Sequence, residues 1–147
     1  MPWPINKRKA QLEELKRQNA ILKEQLKESA STRDAFLTLT LNTIGDPFFI
    51  KDQDSRLLYM NDAFCEIFGL SREDIVGKTL AENVAPEEMK NFLAIDQSVL
   101  QTGIENIQVE TLTVRDHATK IISTRKSRFV DSQGNKFLVG IIRDLTE

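Results

Sequence analysis

The sequence predicts an α+β fold led by a separate helix, and three observations carry that expectation. Leucines recur at alternating steps of three and four over residues 12–26. β-type runs occur in two groups, one of two runs and one of three, rich in Phe, Ile, Leu and Val. Helix signals lie between the groups, so the order reads ββ, helices, βββ. A length of 147 residues suits one compact domain with an appendage, and 40 % apolar residues are enough to close a single core.

The leading helix has the pattern of a coiled coil. Leu12, Asn19 and Leu26 fall at a and Leu15 and Leu22 at d, with charges and amides at most other positions. So narrow an apolar face needs a partner. One Asn at an a position favours a parallel two-stranded register, in which the two amides bond each other. The reading is a parallel homodimer, with residues 1–30 as the dimerisation helix. In the stretch Ser29-Ala30-Ser31-Thr32 the two serines and the threonine are poorer helix formers, so the coil is expected to end or loosen there.

Phe36, Leu37, Leu39, Leu41 and Ile44 then form a second apolar segment, closed by Gly45. Residues 31–45 are expected as a flanking helix that packs on the sheet, and residues 46–147 as the folded domain. Runs 47–51 and 56–60 flank Asp52-Gln53-Asp54-Ser55, whose residue types favour a turn, and so read as a hairpin. Three short helices are marked by Asn61-Asp62 before Ala63, by Ser71-x-x-Asp74 before Gly77, and by the capping box Thr79-x-x-Glu82. A longer helix starts at Pro86, with Glu87 and Glu88 at its positive end, and turns Met89, Phe92, Leu93, Val99 and Leu100 to one face before Gly103.

Runs 107–114, 120–130 and 136–143 complete the pattern, with turns at 115–119 and 131–135. The last run, Phe137-Leu138-Val139-Gly140-Ile141-Ile142, is apolar without alternation, as expected of a strand covered on both faces. The helical segment 36–44 is the expected outer cover. In run 120–130, period two puts Arg125 with Ile121, Ser123 and Phe129, and Lys126 with Ile122 and Arg128, so neither face is cleanly apolar.

Composition narrows the function. The net charge is -2, yet residues 1–30 hold seven Lys/Arg against four Asp/Glu, while the remainder holds thirteen against eighteen. The basic excess lies among mixed charges, as on a solvated helix, which argues against nucleic acid as a partner. No apolar run approaches the ~20 residues of a membrane span. Met1-Pro2-Trp3-Pro4-Ile5 lacks the apolar core of a secretory leader. A single cysteine, Cys65, leaves no internal disulfide and fits a reducing compartment, so the chain reads as cytoplasmic. One His and one Cys supply neither a nucleophile–base pair nor a metal-ligand cluster, and no Gly-rich phosphate loop occurs, so the chain does not read as an enzyme.

Three stretches, Ile44-Gly45-Asp46-Pro47-Phe48-Phe49-Ile50-Lys51-Asp52, Tyr59-Met60-Asn61-Asp62-Ala63-Phe64, and Phe68-Gly69-Leu70-Ser71-Arg72-Glu73-Asp74-Ile75-Val76-Gly77, resemble the PAS domain family of sensor proteins. The ending Gly140-Ile141-Ile142-Arg143-Asp144-Leu145-Thr146-Glu147 is similar to the Asp-Ile-Thr signature that closes such domains, with Leu145 in place of Ile. The resemblance covers 32–147. It implies a five-stranded antiparallel sheet with connecting helices on one face, and a cavity between them. It also implies a junction at Asp144 and Thr146 that passes strain to an output element, in a parent such as a histidine kinase or diguanylate cyclase.

The candidate pocket residues are Phe49, Leu58, Met60, Phe64, Phe68, Leu80, Phe92, Val109, Arg125 and Ile141. A haem-binding relative would place a His on the long helix, and residues 86–102 contain none; His117 falls in a turn. A LOV-type flavin needs its Cys in a Gly-x-Asn-Cys-Arg-Phe setting, whereas Cys65 stands in Ala63-Phe64-Cys65-Glu66. Both cofactors are therefore disfavoured, Cys65 reads as a small buried hydrophobe, and Asn61 as a structural cap. The expected function is a dimeric sensory module that relays ligand or partner binding to its flanking helices. The alternative is a ligand-free dimerisation scaffold or protein-interaction module.

Overall fold

The computed structural model of the protein describes residues 5–146. Residues 1–4, on which the expectation about a secretory leader falls, and Glu147 of the terminal signature lie outside the described residues. Two compact units are present, Met1–Thr40 and Leu41–Glu147.

The first unit is helical. Helix α1 (Ile5–Asn42) runs unbroken through the Ser29–Thr32 stretch expected to end it. Poor propensity there amounts to a few tenths of a kcal/mol per residue, with no Gly or Pro to stop the helix. Thr32 also returns its hydroxyl to the Glu28 carbonyl at 2.9 Å, inside the helical pattern. A single helix thus carries both segments that had been read as separate. Leu12, Leu15, Leu22 and Leu26 are exposed on it, as are Phe36, Leu37 and Leu39, and Leu41 is its one buried residue.

The second unit holds strands β1 (Phe48–Lys51) and β2 (Leu57–Met60), helices α2 (Asp62–Phe68), α3 (Arg72–Ile75) and α4 (Pro86–Thr102), then β3 (Asn106–Leu112), β4 (Lys120–Val130) and β5 (Lys136–Asp144). All strand pairs are antiparallel, in the order β2-β1-β5-β4-β3. The chain's last strand is therefore the middle one, with Leu138, Gly140 and Ile142 buried on its inner face and Phe137, Val139 and Ile141 half-buried on the other. Phe49, Leu138, Ile122 and Ile142 from the sheet pack with Phe64, Phe68, Ile75, Met89, Val99 and Leu100 from the helices as one core.

The cap signals are realised at Asn61, at Ser71, which accepts from the Asp74 amide, and at Pro86 and Gly103. The capping box Thr79-x-x-Glu82 does not start a helix. Leu80 there has φ 66°, in the left-handed region, and 81–83 form a turn. That turn leads to Val84, which bridges Val114 and so takes over the end of the run expected to be all β3.

Two residues set how closely the layers approach. Gly140 on β5 lies directly under the Phe49 ring, which an added Cβ would overlap. Any side chain at Gly140 would displace that ring. Asn61, with no exposed surface, satisfies all its amide valences. Its Nδ2 donates to the Leu41 carbonyl at 3.1 Å and to the Asp46 carbonyl at 2.8 Å. Its Oδ1 accepts from the Phe48 amide at 2.9 Å and the Phe64 amide at 3.1 Å. One side chain thereby fastens the end of α1, the start of β1 and the start of α2. Asn61→Ala is expected to lower unfolding free energy by about 2–4 kcal/mol, because buried backbone groups lose their partners. Asn61→Asp should cost more, since it sets an acceptor against two carbonyls. Urea denaturation of the three proteins gives the ranking, and an alanine variant as stable as the parent would remove this role.

Candidate ligand-binding site

Between the inner face of the sheet and helices α2 and α4 lies a cavity of about 50 Å³. That is well above the ~10–15 Å³ that one water needs. Phe64 and Phe68 of α2 line it with ring centroids 4.7 Å apart and planes tilted by 38°, and Leu80, Val84, Met89 and Phe92 line it as well. Lys51, Thr124 and Lys126 supply polar groups from the sheet.

Those lysines meet a carboxylate inside the protein. Asp96, on α4 and with 0 % exposure, places Oδ2 2.7 Å from the Lys51 Nζ and Oδ1 2.7 Å from the Lys126 Nζ. Lys126 also donates to the Phe92 carbonyl at 3.3 Å. Lys51 is 7 % and Lys126 3 % exposed. Their ammonium groups sit over the Phe49 and Phe92 rings at 5.2 and 5.6 Å from the centroids. Burial alone would raise the Asp96 carboxyl, but the charges of Lys51 and Lys126 outweigh it and hold the group below its ordinary 3.8. Burial pushes Lys51 below its ordinary 10.5, and Asp96 restores part of that shift. Glu110 on β3, half-buried, is pushed up by burial, against the pull of Lys126, and its Oε1 has no hydrogen-bond partner.

Of the expected pocket residues, Phe49, Phe64, Phe68, Leu80 and Phe92 line the cavity, and Met60 is fully buried in the core beside them. Four others do not line it. Leu58 is 44 % exposed; the register shifts between Ile50 and Lys51, so that Leu57 and Met60 turn inward and Leu58 outward. Val109 is 64 % exposed, because β3 turns Glu110 and Leu112 toward the core and leaves Ile107 and Val109 on the outer face. Arg125 is exposed and pairs with Glu105, while its neighbour Lys126 points in. Ile141 is displaced by Ile142, the inward residue of a strand whose unalternating sequence leaves its facing open.

Asp96 and Lys51 were missed altogether, although a signal existed. Asp96 is four residues from both Phe92 and Leu100, within the apolar stripe of α4, and Lys51 is two residues beyond Phe49 on its strand. An acid in a helix stripe with a base on an inward strand position is a pairing that residue type alone can suggest.

The remaining expected residues lie elsewhere. Asp144 accepts from the Thr146 amide at 2.9 Å, which holds its carboxyl below the ordinary value, and sits 3.3 Å from the Lys120 Nζ. Thr146 Oγ1 accepts from the Ile121 amide at 2.8 Å, and Leu145 N–H donates to the Ile121 carbonyl at 2.8 Å. The junction is thus sewn to the start of β4. Cys65 is half-buried and its thiol is pushed up by burial. His117 is exposed in the β3–β4 turn, bonded to the Arg115 carbonyl at 2.9 Å. Among the described residues, no group of three or more His, Cys, Asp or Glu is placed to hold a metal, and no helix is long and apolar enough to cross a membrane.

Residues 41–147 match the family model described as the PAS fold, and the chain belongs to that family. The y4lL protein of Sinorhizobium fredii is 34 % identical over 123 residues, 82 % of this chain and 15 % of that protein. The virulence sensor protein BvgS of Bordetella pertussis is 28 % identical over 63 % of this chain and 7 % of its own length. The solved PAS domain of BvgS superposes with a TM-score of 0.63 at 20 % identity, covering 79 % of this chain and 88 % of that one. VqmA of Vibrio cholerae, solved bound to DPO, superposes with a TM-score of 0.62 at 27 % identity, covering 69 % of this chain and 52 % of that one. This chain therefore corresponds to a small part of the longer y4lL and BvgS proteins.

Asp96→Asn leaves two buried ammonium groups without a carboxylate and is expected to cost roughly 3–5 kcal/mol in urea unfolding at neutral pH. Because the folded carboxyl lies below its unfolded value, the cluster's contribution is fully present above 3.8 and is lost as pH falls below it. The asparagine variant should lose that acid limb of the stability profile. A profile that superposes on the parent's would show that Asp96 is not ionised in the fold.

Proposed function

We propose that this chain is a dimeric sensory input module. A small molecule entering the cavity alters the contacts between sheet and helices, and helix α1 joins two copies so that the change is shared. The observation that carries this reading is the pair of cavity-lining lysines, Lys51 and Lys126, joined by the buried Asp96, which does not itself line the cavity. Buried ion clusters are weak sources of stability and well-packed apolar residues of similar volume often do better, so a charged wall is poorly explained by packing alone. The DPO-bound structure of VqmA supports a small-molecule ligand for this architecture.

Dimerisation rests on the leucine seam. Leu12, Leu15, Leu22 and Leu26 are at least half exposed on a 38-residue helix, and Asn19 stands among them at an a position. An amphipathic seam with no cover calls for a second helix, and a second copy of the chain offers the matching one. Phe36, Leu37 and Leu39 continue the apolar surface along the flanking part of α1 and extend the interface in this reading. Asp144 and Thr146 form the exit toward an output element of a longer sensor, a histidine kinase or a diguanylate cyclase. A cytoplasmic location accords with the lone unpaired Cys65.

Light scattering on the purified chain should give a dimer, and L15E/L22E should give a monomer with unchanged far-ultraviolet dichroism of the domain. A double variant that remains dimeric would remove the coil from the mechanism.

A further inference from the structure

The ligand's chemical class is written in the wall of the cavity. With both lysines charged, the buried cluster holds two ammonium groups and one carboxylate, leaving one positive charge in excess. Two ammonium groups present six N–H donors. Two hydrogen bonds are made, to Asp96 Oδ2 and to the Phe92 carbonyl, and Lys126 also lies 2.7 Å from Asp96 Oδ1 in an ion pair without hydrogen-bond geometry. Glu110, the next carboxyl, is in no ion pair with either lysine among the described residues, and its Oε1 has no hydrogen-bond partner. Thr124, two residues from Lys126 on the same inward face of β4, is buried and adds a hydroxyl to the same wall. The opposite walls are aromatic and aliphatic.

An excess buried cation with unused donors is costly unless an anion answers it. We infer that the cavity takes a small organic acid, its carboxylate held by Lys51 and Lys126 beside Asp96 and its apolar body against Phe64, Phe68 and Leu80. This rests on the reading of the cavity as a ligand site. A monocarboxylate with one ring or a short chain matches both the single excess charge and the small space.

The test uses the intact chain and pairs of compounds that differ only in charge. Benzoate and benzamide, and butyrate and butyramide, are titrated at neutral pH against the ¹⁵N-labelled protein, and amide shifts are followed at Lys51, Thr124 and Lys126. Each acid should bind about ten-fold tighter than its amide, because charge-assisted hydrogen bonds are about twice as strong as neutral ones. Lys126→Gln should reduce that preference to less than about three-fold, and since the comparison of compounds on the unaltered protein stands alone, loss of folding in this variant does not decide the matter. Amides that bind as well as the acids would overturn the anion assignment and leave a neutral-ligand cavity. No binding by any of the four, with no shift at the three lining residues, would overturn both the assignment and the ligand-site reading.

Discussion

One carboxylate shared between two ammonium groups, inside the domain, is the constraint on which the remaining geometry turns. Asp96 ties α4 to β1 through Lys51 and to β4 through Lys126. Those strands are not neighbours; β5 runs between them, with Lys51 opposite Leu138 and Lys126 opposite Gly140. For both lysines to reach one acid, the sheet must bring the helix close over β5. Over β5 the Phe49 ring occupies the space that a side chain at Gly140 would fill. The cavity is what remains beside that close approach, and its polar end is the cluster itself.

Both ends of the domain are held by groups close to this region. Leu41, at the end of α1, is bonded to Asn61, which also fixes Phe48 at the head of β1 and Phe64 on the cavity wall. At the other end, Asp144, Leu145 and Thr146 are bonded to Lys120 and Ile121 at the start of the strand that carries Thr124 and Lys126. A ligand can bias such a structure only through unequal contacts with two arrangements of these elements. Elements that already share a charged cluster, with a few kcal/mol at stake on each pairing, are suited to having two arrangements.

Much of the fold was legible because its signals are local. The hairpin turn at Asp52, the caps at Asn61 and Ser71, Pro86 and Gly103 at the ends of α4, and the apolar run of β5 each have one physical cause within a few residues. The continuity of α1 was not, since propensity differences across Ser29–Thr32 are smaller than the terms that sustain a long helix. The strand faces were legible only where apolar and polar residues alternate. In β4, where Arg125 and Lys126 stand side by side, and in β5, which is apolar throughout, period two leaves the choice to the tertiary packing, and Arg125 and Ile141 were placed on the wrong side. Asp96 was hidden for a different reason: a buried charge is recognisable only with its partners, and those are 45 and 30 residues away in the chain.

Native mass spectrometry of the freshly purified chain, with a denaturing run on the same sample, tests the account most directly. The expected spectrum is a dimer whose mass exceeds that of two chains by one small acidic molecule per chain, with the excess lost on denaturation. Chains that carry no bound mass and run as monomers would contradict it.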